Sequence, residues 1–212
     1  MKHLIRISAV AAALALTVPA SAQQKTTERG SMVGVGVGLS NGSAFETGDR
    51  SNLGFGGTLL FVPLNIAPNL RVEPFIGWAR SDIDAIPPGG AGLSNPGEAS
   101  DFTLGAGVFF VQPVAAQLQM YAGGRLGLQW QSFKTVGAAP DKFSRRNTLL
   151  AAVGGAEYLP IPRVAIGAEL MIGYVGFGDT EFKDGATGQT FEGAGGSGSV
   201  TQGTIFARLY LF

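Results

Sequence analysis

The chain has no cysteine, a single histidine (His3), and charged residues at only 14% of its 212 positions. The missing cysteine excludes disulfide scaffolds and thiolate metal or redox sites. With histidine confined to position 3, the rest of the chain lacks the commonest general base and metal ligand. Soluble domains carry about a quarter charged residues, so this surface is unusually uncharged or hidden from water. Basic and acidic residues balance at 15 each, which gives no electrostatic footprint for nucleic acid. Beyond the N-terminus no stretch approaches the 18 consecutive apolar residues of a spanning helix. What is abundant is glycine, 33 residues, within a chain that is 45% hydrophobic. Low charge with that apolar content argues against disorder and points to a membrane or a glycine-rich β protein.

Residues 1–22 have the layout of a secretory signal peptide. Lys2, His3 and Arg6 precede the apolar run Ile7 to Val18, and Ala20-Ser21-Ala22 supplies the cleavage site. The run is shorter than the ~20 residues a spanning helix needs. Without Lys2 and Arg6 the mature chain holds 13 basic and 15 acidic residues, a net charge of −2. Residues 23–31 form a short polar segment, and 32–212 read as one domain.

That domain alternates with period two. Val33, Val35, Val37 and Leu39 are separated by Gly34, Gly36 and Gly38; similar alternation runs through 118–131 and 164–174. Helices repeat every three or four residues, so these are strands. Eight are predicted: 32–40, 52–62, 70–80, 102–111, 118–131, 148–158, 163–177 and 200–212. Most match or exceed the 9–11 residues of a tilted membrane strand. Three connections are short and contain proline (63–68, 112–117, 159–162). Four are long and polar or glycine-rich (41–51, 81–101, 132–147, 178–199). Strict alternation of long and short is the layout of an outer-membrane barrel. The sequence therefore predicts an all-β protein, an eight-stranded antiparallel up-and-down transmembrane β-barrel.

On these residues the chain resembles the small eight-stranded outer-membrane barrels, the group of OmpX and the OmpA transmembrane domain. The final strand strengthens the resemblance, because Phe206, Tyr210 and the terminal Phe212 look like the insertion signal read by the barrel-insertion machinery. The resemblance implies an outer-membrane location in a Gram-negative-type bacterium and contact with outer-membrane lipid and lipopolysaccharide. It also implies a monomer, no cofactor, and a role in envelope integrity, adhesion or resistance to host defences. Barrel enzymes of that membrane depend on histidine, from which this chain departs, so no catalytic role is expected.

A membrane barrel turns its apolar set to lipid and its polar set inwards. The outer set is predicted to carry Phe55, Phe61, Trp78, Phe102, Phe110, Trp130, Tyr158 and Tyr174. The inner set reads as Gly, Ala, Thr and Gln with a charged group of Arg71, Glu73, Arg125, Glu157 and Glu169. Two residues strain this pattern. Pro74 falls inside a strand, where it cannot donate to the ladder, so a bulge or a later start is expected. Arg208 shares parity with Phe206 and Tyr210, and an Arg against lipid costs about 2–4 kcal/mol. A bulge or twist turning Arg208 inwards is predicted, balancing the interior at three Arg and three Glu and moving Phe206 or Phe212 from its nominal side.

Three further groups invite chemistry. Lys134, Lys142, Arg145 and Arg146 face only Asp141 in the third long connection, a net of +3, and suggest a polyanion-binding loop for lipopolysaccharide phosphates or a host surface ligand. A solvated loop is the plainer reading. Asp179, Glu181, Asp184 and Glu192 lack the spacing of a calcium loop. Gly193 to Gly198 has dinucleotide-fingerprint spacing but no helix to follow it. Two alternative functions remain at this point: a narrow channel for small solutes or ions, or a soluble periplasmic barrel binding an apolar ligand.

Overall fold

The computed structural model describes residues 32–46, 49–54, 57–83 and 97–211. The predicted signal peptide and polar segment, and also Phe55 and Phe212, lie outside them. Eleven strands form one antiparallel sheet: β1 (Met32–Glu46), β2 (Asp49–Gly54), β3 (Gly57–Phe61), β4 (Leu64–Ala67), β5 (Leu70–Ile83), β6 (Gly97–Ala115), β7 (Leu118–Thr135), β8 (Lys142–Ile161), β9 (Val164–Lys183), β10 (Thr190–Gly193) and β11 (Gly196–Tyr210). Pairing of β1 with β11, and of each remaining wall strand with the next, closes the sheet into a ring. The wall has eight staves, because β2, β3 and β4 are successive pieces of the second, and β10 folds back on the top of β9.

Which face meets lipid is settled by exposure. Ile205 is 64% exposed and Leu126 59%, whereas Arg71, Glu73 and Glu157 are each 0%. A soluble barrel would show the reverse. Trp78, Phe102, Phe110, Trp130, Tyr158 and Tyr174 all lie on the outer surface. Phe61 does not: it is fully buried inside the barrel, where its ring packs edge-on against Phe206. The interior is also more apolar than a Gly/Ala/Thr/Gln face, since Phe75, Phe109, Leu149, Met171, Val175 and Phe177 fill it alongside the polar groups. Eight strands enclose just enough room for side chains, and bulky apolar ones take most of it.

Tight turns join the strands at one end, at positions 68–69, 116–117 and 162–163. The chain enters β1 and leaves β11 at that same end, Gly34 lying opposite Tyr210. At the other end the described residues of the predicted long connections are mostly strand. The 132–147 segment shrinks to 136–141, and 178–199 contains the end of β9, all of β10 and the start of β11. Strands β8 and β9 have 20 residues each. At ~3.3 Å per residue and ~40° tilt, each spans about 50 Å along the membrane normal, against an apolar band of about 25 Å. The excess stands outside the membrane, where neither face must be apolar and the alternation used to find strands is lost.

Pro74 lies within β5 with no bulge in its pairing to β6, where it faces Ala106. The irregularity is in the neighbouring stave. Phe61 pairs with Phe75 and Leu64 with Val72, and between these pairs Val62 and Pro63 leave the ladder. Val62 N–H donates to the Pro74 carbonyl at 3.0 Å, and Gly34 N–H to the Pro63 carbonyl at 2.9 Å. The nitrogen of Pro74 therefore faces Val62, so the one donor it cannot supply is missed where the second stave leaves the ladder and not within a regular stretch of it.

Arg208 faces inwards without any bulge. Strand β11 keeps unbroken register with both β1 and β9, and its buried positions alternate strictly as Val200, Gln202, Thr204, Phe206, Arg208 and Tyr210. The expected twist is therefore absent; instead, Phe206 and Tyr210 accompany Arg208 into the lumen. Room for them comes from β1, whose Gly38, Gly36 and Gly34 lie directly opposite Phe206, Arg208 and Tyr210. A Cβ on Gly36 would come within 2.6 Å of Arg208 Cγ.

Candidate functional site

The closed wall projects six ionisable side chains into one level of the lumen. Glu169 comes from β9, Arg125 from β7, Glu73 and Arg71 from β5, Arg208 from β11 and Glu157 from β8. They form a chain of alternating charge. Glu169 meets Arg125 at 2.6 Å, Arg125 meets Glu73 at 3.1 Å, and Glu73 meets Arg208 at 2.6 Å. Arg208 meets Glu157 at 2.7 Å, and Glu157 meets Arg71 at 2.5 Å. The Glu73–Arg208 contact is an ion pair rather than an aligned hydrogen bond, since both facing atoms lack a hydrogen-bond partner.

Neutral groups complete the carboxylates. Tyr121 Oη donates to Glu169 and Tyr210 Oη to Glu157, each at 3.0 Å, and Gln119 also donates to Glu157. Asn65 accepts from Arg71 Nε at 3.1 Å. Aromatic faces cover the guanidiniums: Arg208 sits 4.0 Å from the Phe206 ring centroid and Arg125 4.8 Å from that of Phe75. Three positive and three negative groups, desolvated and mutually paired, form a neutral plug. Parity along the strands places Phe61 and Tyr210 on the lipid face, and Phe206 is expected inside only through a distortion at Arg208, so these aromatic partners are missed.

On the outer side of the plug, Asp101 accepts hydrogen bonds from Gln129 at 2.5 Å and Gln131 at 3.2 Å, and Asn147 donates to both glutamines. The recess between this polar ladder and Arg125 measures about 30 Å³, room for roughly one water molecule. Nothing in the arrangement resembles a nucleophile with its base.

The four basic residues read as one loop occupy strands, and they separate. Lys134 and Arg146 lie on β7 and β8 facing outwards, as does Lys142. Arg145 points inwards, its guanidinium 4.5 Å from the Phe177 ring centroid and 3.2 Å from Gln131 Oε1. It takes no part in an outward basic surface. The acidic residues of the fourth connection are also dispersed. Asp179 accepts from Gly195 N–H, Asp184 caps the β9–β10 turn through Ala186 and Thr187, and Glu181 and Glu192 face each other across the β9–β10 pair. Among the terminal aromatics, Phe206 and Tyr210 are buried in the lumen, so a partner reaches them only before the barrel closes.

An inside-out barrel with an aromatic outer surface, short turns at one end and a charged plug defines an outer-membrane β-barrel. Residues 8–192 match the family described as outer membrane protein beta-barrel domain, and the chain belongs to it. Among solved structures it is similar to Ail, the attachment invasion locus protein of Yersinia pestis, in complex with the heparin analogue sucrose octasulfate. Identity is 16%, covering 85% of this chain and 99% of Ail, with a TM-score of 0.54. A major outer membrane protein from Thermus thermophilus matches at 15% identity over 84% of this chain and 99% of its own, TM-score 0.54. Neisserial surface protein A matches at 13% identity over 84% and 96%, TM-score 0.53. At such identities the likeness concerns the fold. No curated protein matches the sequence. The protein resides in the outer membrane.

Proposed function

We propose that the barrel is a sealed, non-catalytic scaffold of the cell envelope whose strand extensions meet ligands at the cell surface. The observation that carries this reading is the six-membered ion-pair chain across the lumen. A conduction path would need at least one of these buried pairs to part, and opening a desolvated pair without replacement partners costs about 3–5 kcal/mol. Ligand contacts then fall outside, on the roughly 10–20 Å by which β6 to β9 overtop the apolar band. The presence of a sulfated sugar in the Ail complex supports surface-ligand binding as the mode of action. The lack of any histidine beyond His3 supports a non-catalytic role. Insertion through the barrel machinery, with Phe206, Tyr210 and Phe212 as its signal, belongs to the same proposal.

The experiment is planar-bilayer recording on the refolded protein, with cell-surface binding measured alongside. A sealed scaffold gives no resolvable conductance steps, and surface binding survives substitution in the lumen. Regular steps that change with Glu157→Gln would replace this reading with that of a narrow channel.

A further inference from the structure

The register of the outer extension aligns lysines that the sequence scatters. Lys134 lies directly opposite Lys142, and Lys142 directly opposite Lys183. A register shift in the β8–β9 pair between Arg145 and Asn147 brings Lys183 onto the outward face with the other two. Three exposed ammonium groups therefore occupy one row across β7, β8 and β9. Facing Cβ atoms in such rows stand about 4.5–5.5 Å apart, and like charges so placed repel. None of the three is ion-paired with a described residue; Glu98, directly opposite Lys134 on β6, is held by Arg80 at 3.0 Å. On the opposite face of the same strands, Phe133, Phe143, Phe182 and Phe191 form a matching cross-strand row. Aromatic pairs of this kind fix the register and so hold the lysines together.

Below the lysine row, toward lipid, the outward face carries Ser132 and Ser144, with Glu181 and Glu192 continuing that row on β9 and β10, and then Trp130 and Arg146 in direct register. Arg146 lies 5.6 Å from the Trp130 ring centroid. Trp130 belongs to a continuous row with Trp78 and Phe102, the aromatic girdle at the headgroup level. Four residues of tilted strand place the lysines about 10 Å beyond it, and long lysine stems reach back toward the membrane. The strip thus begins at the girdle and looks sideways away from the barrel axis; its four cations outnumber the Glu181 and Glu192 carboxylates at its β9–β10 edge, and it offers positive charge and hydroxyls to whatever stands beside the wall.

We infer that Lys134, Lys142, Lys183 and Arg146 form a binding strip for the phosphorylated headgroup of an outer-leaflet glycolipid. The reading rests on the outer-membrane location and not on whether the lumen is sealed. A soluble polyanion would arrive from above the barrel mouth. A lipid headgroup is instead held at the side, at the height where the strip starts.

The test uses the full chain refolded into phosphatidylcholine vesicles with or without bisphosphorylated lipid A. Without lipid A, Lys134→Gln/Lys142→Gln/Lys183→Gln should unfold at a higher urea concentration than the wild type, because repulsion is relieved. Lipid A should raise the wild-type midpoint and reverse that order. At about fivefold per surface lysine, lipid A affinity should fall about fivefold for Lys142→Gln and about a hundredfold for the triple variant. Lys→Arg at the same three positions should retain it, and Arg163→Gln at the opposite end should change nothing. If the triple variant does not fold, the Lys142→Gln variant carries the same two signs. Lipid A affinity within twofold of wild type in the triple variant would overturn the proposal. So would loss of sucrose octasulfate binding with lipid A retention intact, which would assign the strip to soluble polyanions.

Discussion

Replacing Arg208 by leucine tests the plug where it is most connected. Among the described cations, Arg208 alone bridges Glu73 and Glu157, through contacts of 2.6 and 2.7 Å. After Arg208→Leu, Glu73 retains Arg125, and Glu157 retains Arg71, Gln119 and Tyr210. The lumen then holds two Arg and three Glu, one uncompensated negative charge in a desolvated space. Breaking a buried network on one side costs about 3–5 kcal/mol; because each carboxylate keeps one partner, about 3 kcal/mol is expected. Arg208→Leu with Glu73→Gln restores neutrality at two and two and leaves the Arg125–Glu169 and Arg71–Glu157 pairs intact. Coupling between directly contacting residues runs at about 0.5–3 kcal/mol, so the double variant should recover about 1–2 kcal/mol. Urea unfolding in lipid vesicles, followed by Trp78 and Trp130 fluorescence, reads both values because these rings leave lipid on unfolding. A cost under about 1 kcal/mol for Arg208→Leu, or a double variant no more stable than the single, would refute a neutral, mutually dependent plug.

Gly36→Val should prevent folding or cost at least about 1–3 kcal/mol, because its Cβ would stand 2.6 Å from Arg208 Cγ. Gly203→Val, which faces open space, should be neutral or gain up to about 1 kcal/mol; heat-modifiable gel migration and urea midpoints compare the two. Pro74→Val should change stability by less than about 1 kcal/mol, because the added N–H gains at most one further hydrogen bond, to the facing Val62 carbonyl; the same urea midpoints decide. Hydrogen bonds from Thr187 and Ala186 hold the exposed Asp184 carboxyl below its usual range. A depressed value means the turn gains support above the unfolded-chain pKa and loses it as pH falls through the folded one. An NMR titration of Asp184 at or above the ordinary carboxylate midpoint would contradict that arrangement.

The wall was readable because a membrane strand must keep one face apolar for its whole passage. Leu118, Met120, Ala122, Leu126 and Trp130 declare β7 without any structural knowledge, and Gln119, Arg125 and Gln129 declare its other side. The upper halves of the strands were not readable for the complementary reason. Above the membrane, both faces of Phe133–Lys134 and Phe143–Lys142 meet water or each other, so hydropathy no longer reports a face and 132–147 resembles a loop. The polyanion group suffered accordingly. Lys183 belongs with Lys134 and Lys142, yet it lies 41 positions beyond Lys142 in the chain, and only the register together with its shift unites them. Arg145 looks equivalent to Arg146 in sequence but stands on the opposite face.

Arg208 marks the deeper limit. Aromatics at 206 and 210 suggested a lipid face, and an arginine between them suggested a distortion. Two local rules were thus in conflict within one strand. The conflict disappears once β11 is read against its partner, because closure of a barrel obliges the last strand to pair with the first. The glycines that separate the valines of β1 are the complement of Phe206, Arg208 and Tyr210. One strand gives up side chains so that the other can place three large ones in a lumen with no space for both. Inside versus outside for an aromatic residue is therefore decided by volume across the seam rather than by hydrophobicity along the strand, as buried Phe61, packed on Phe206, shows within the same barrel.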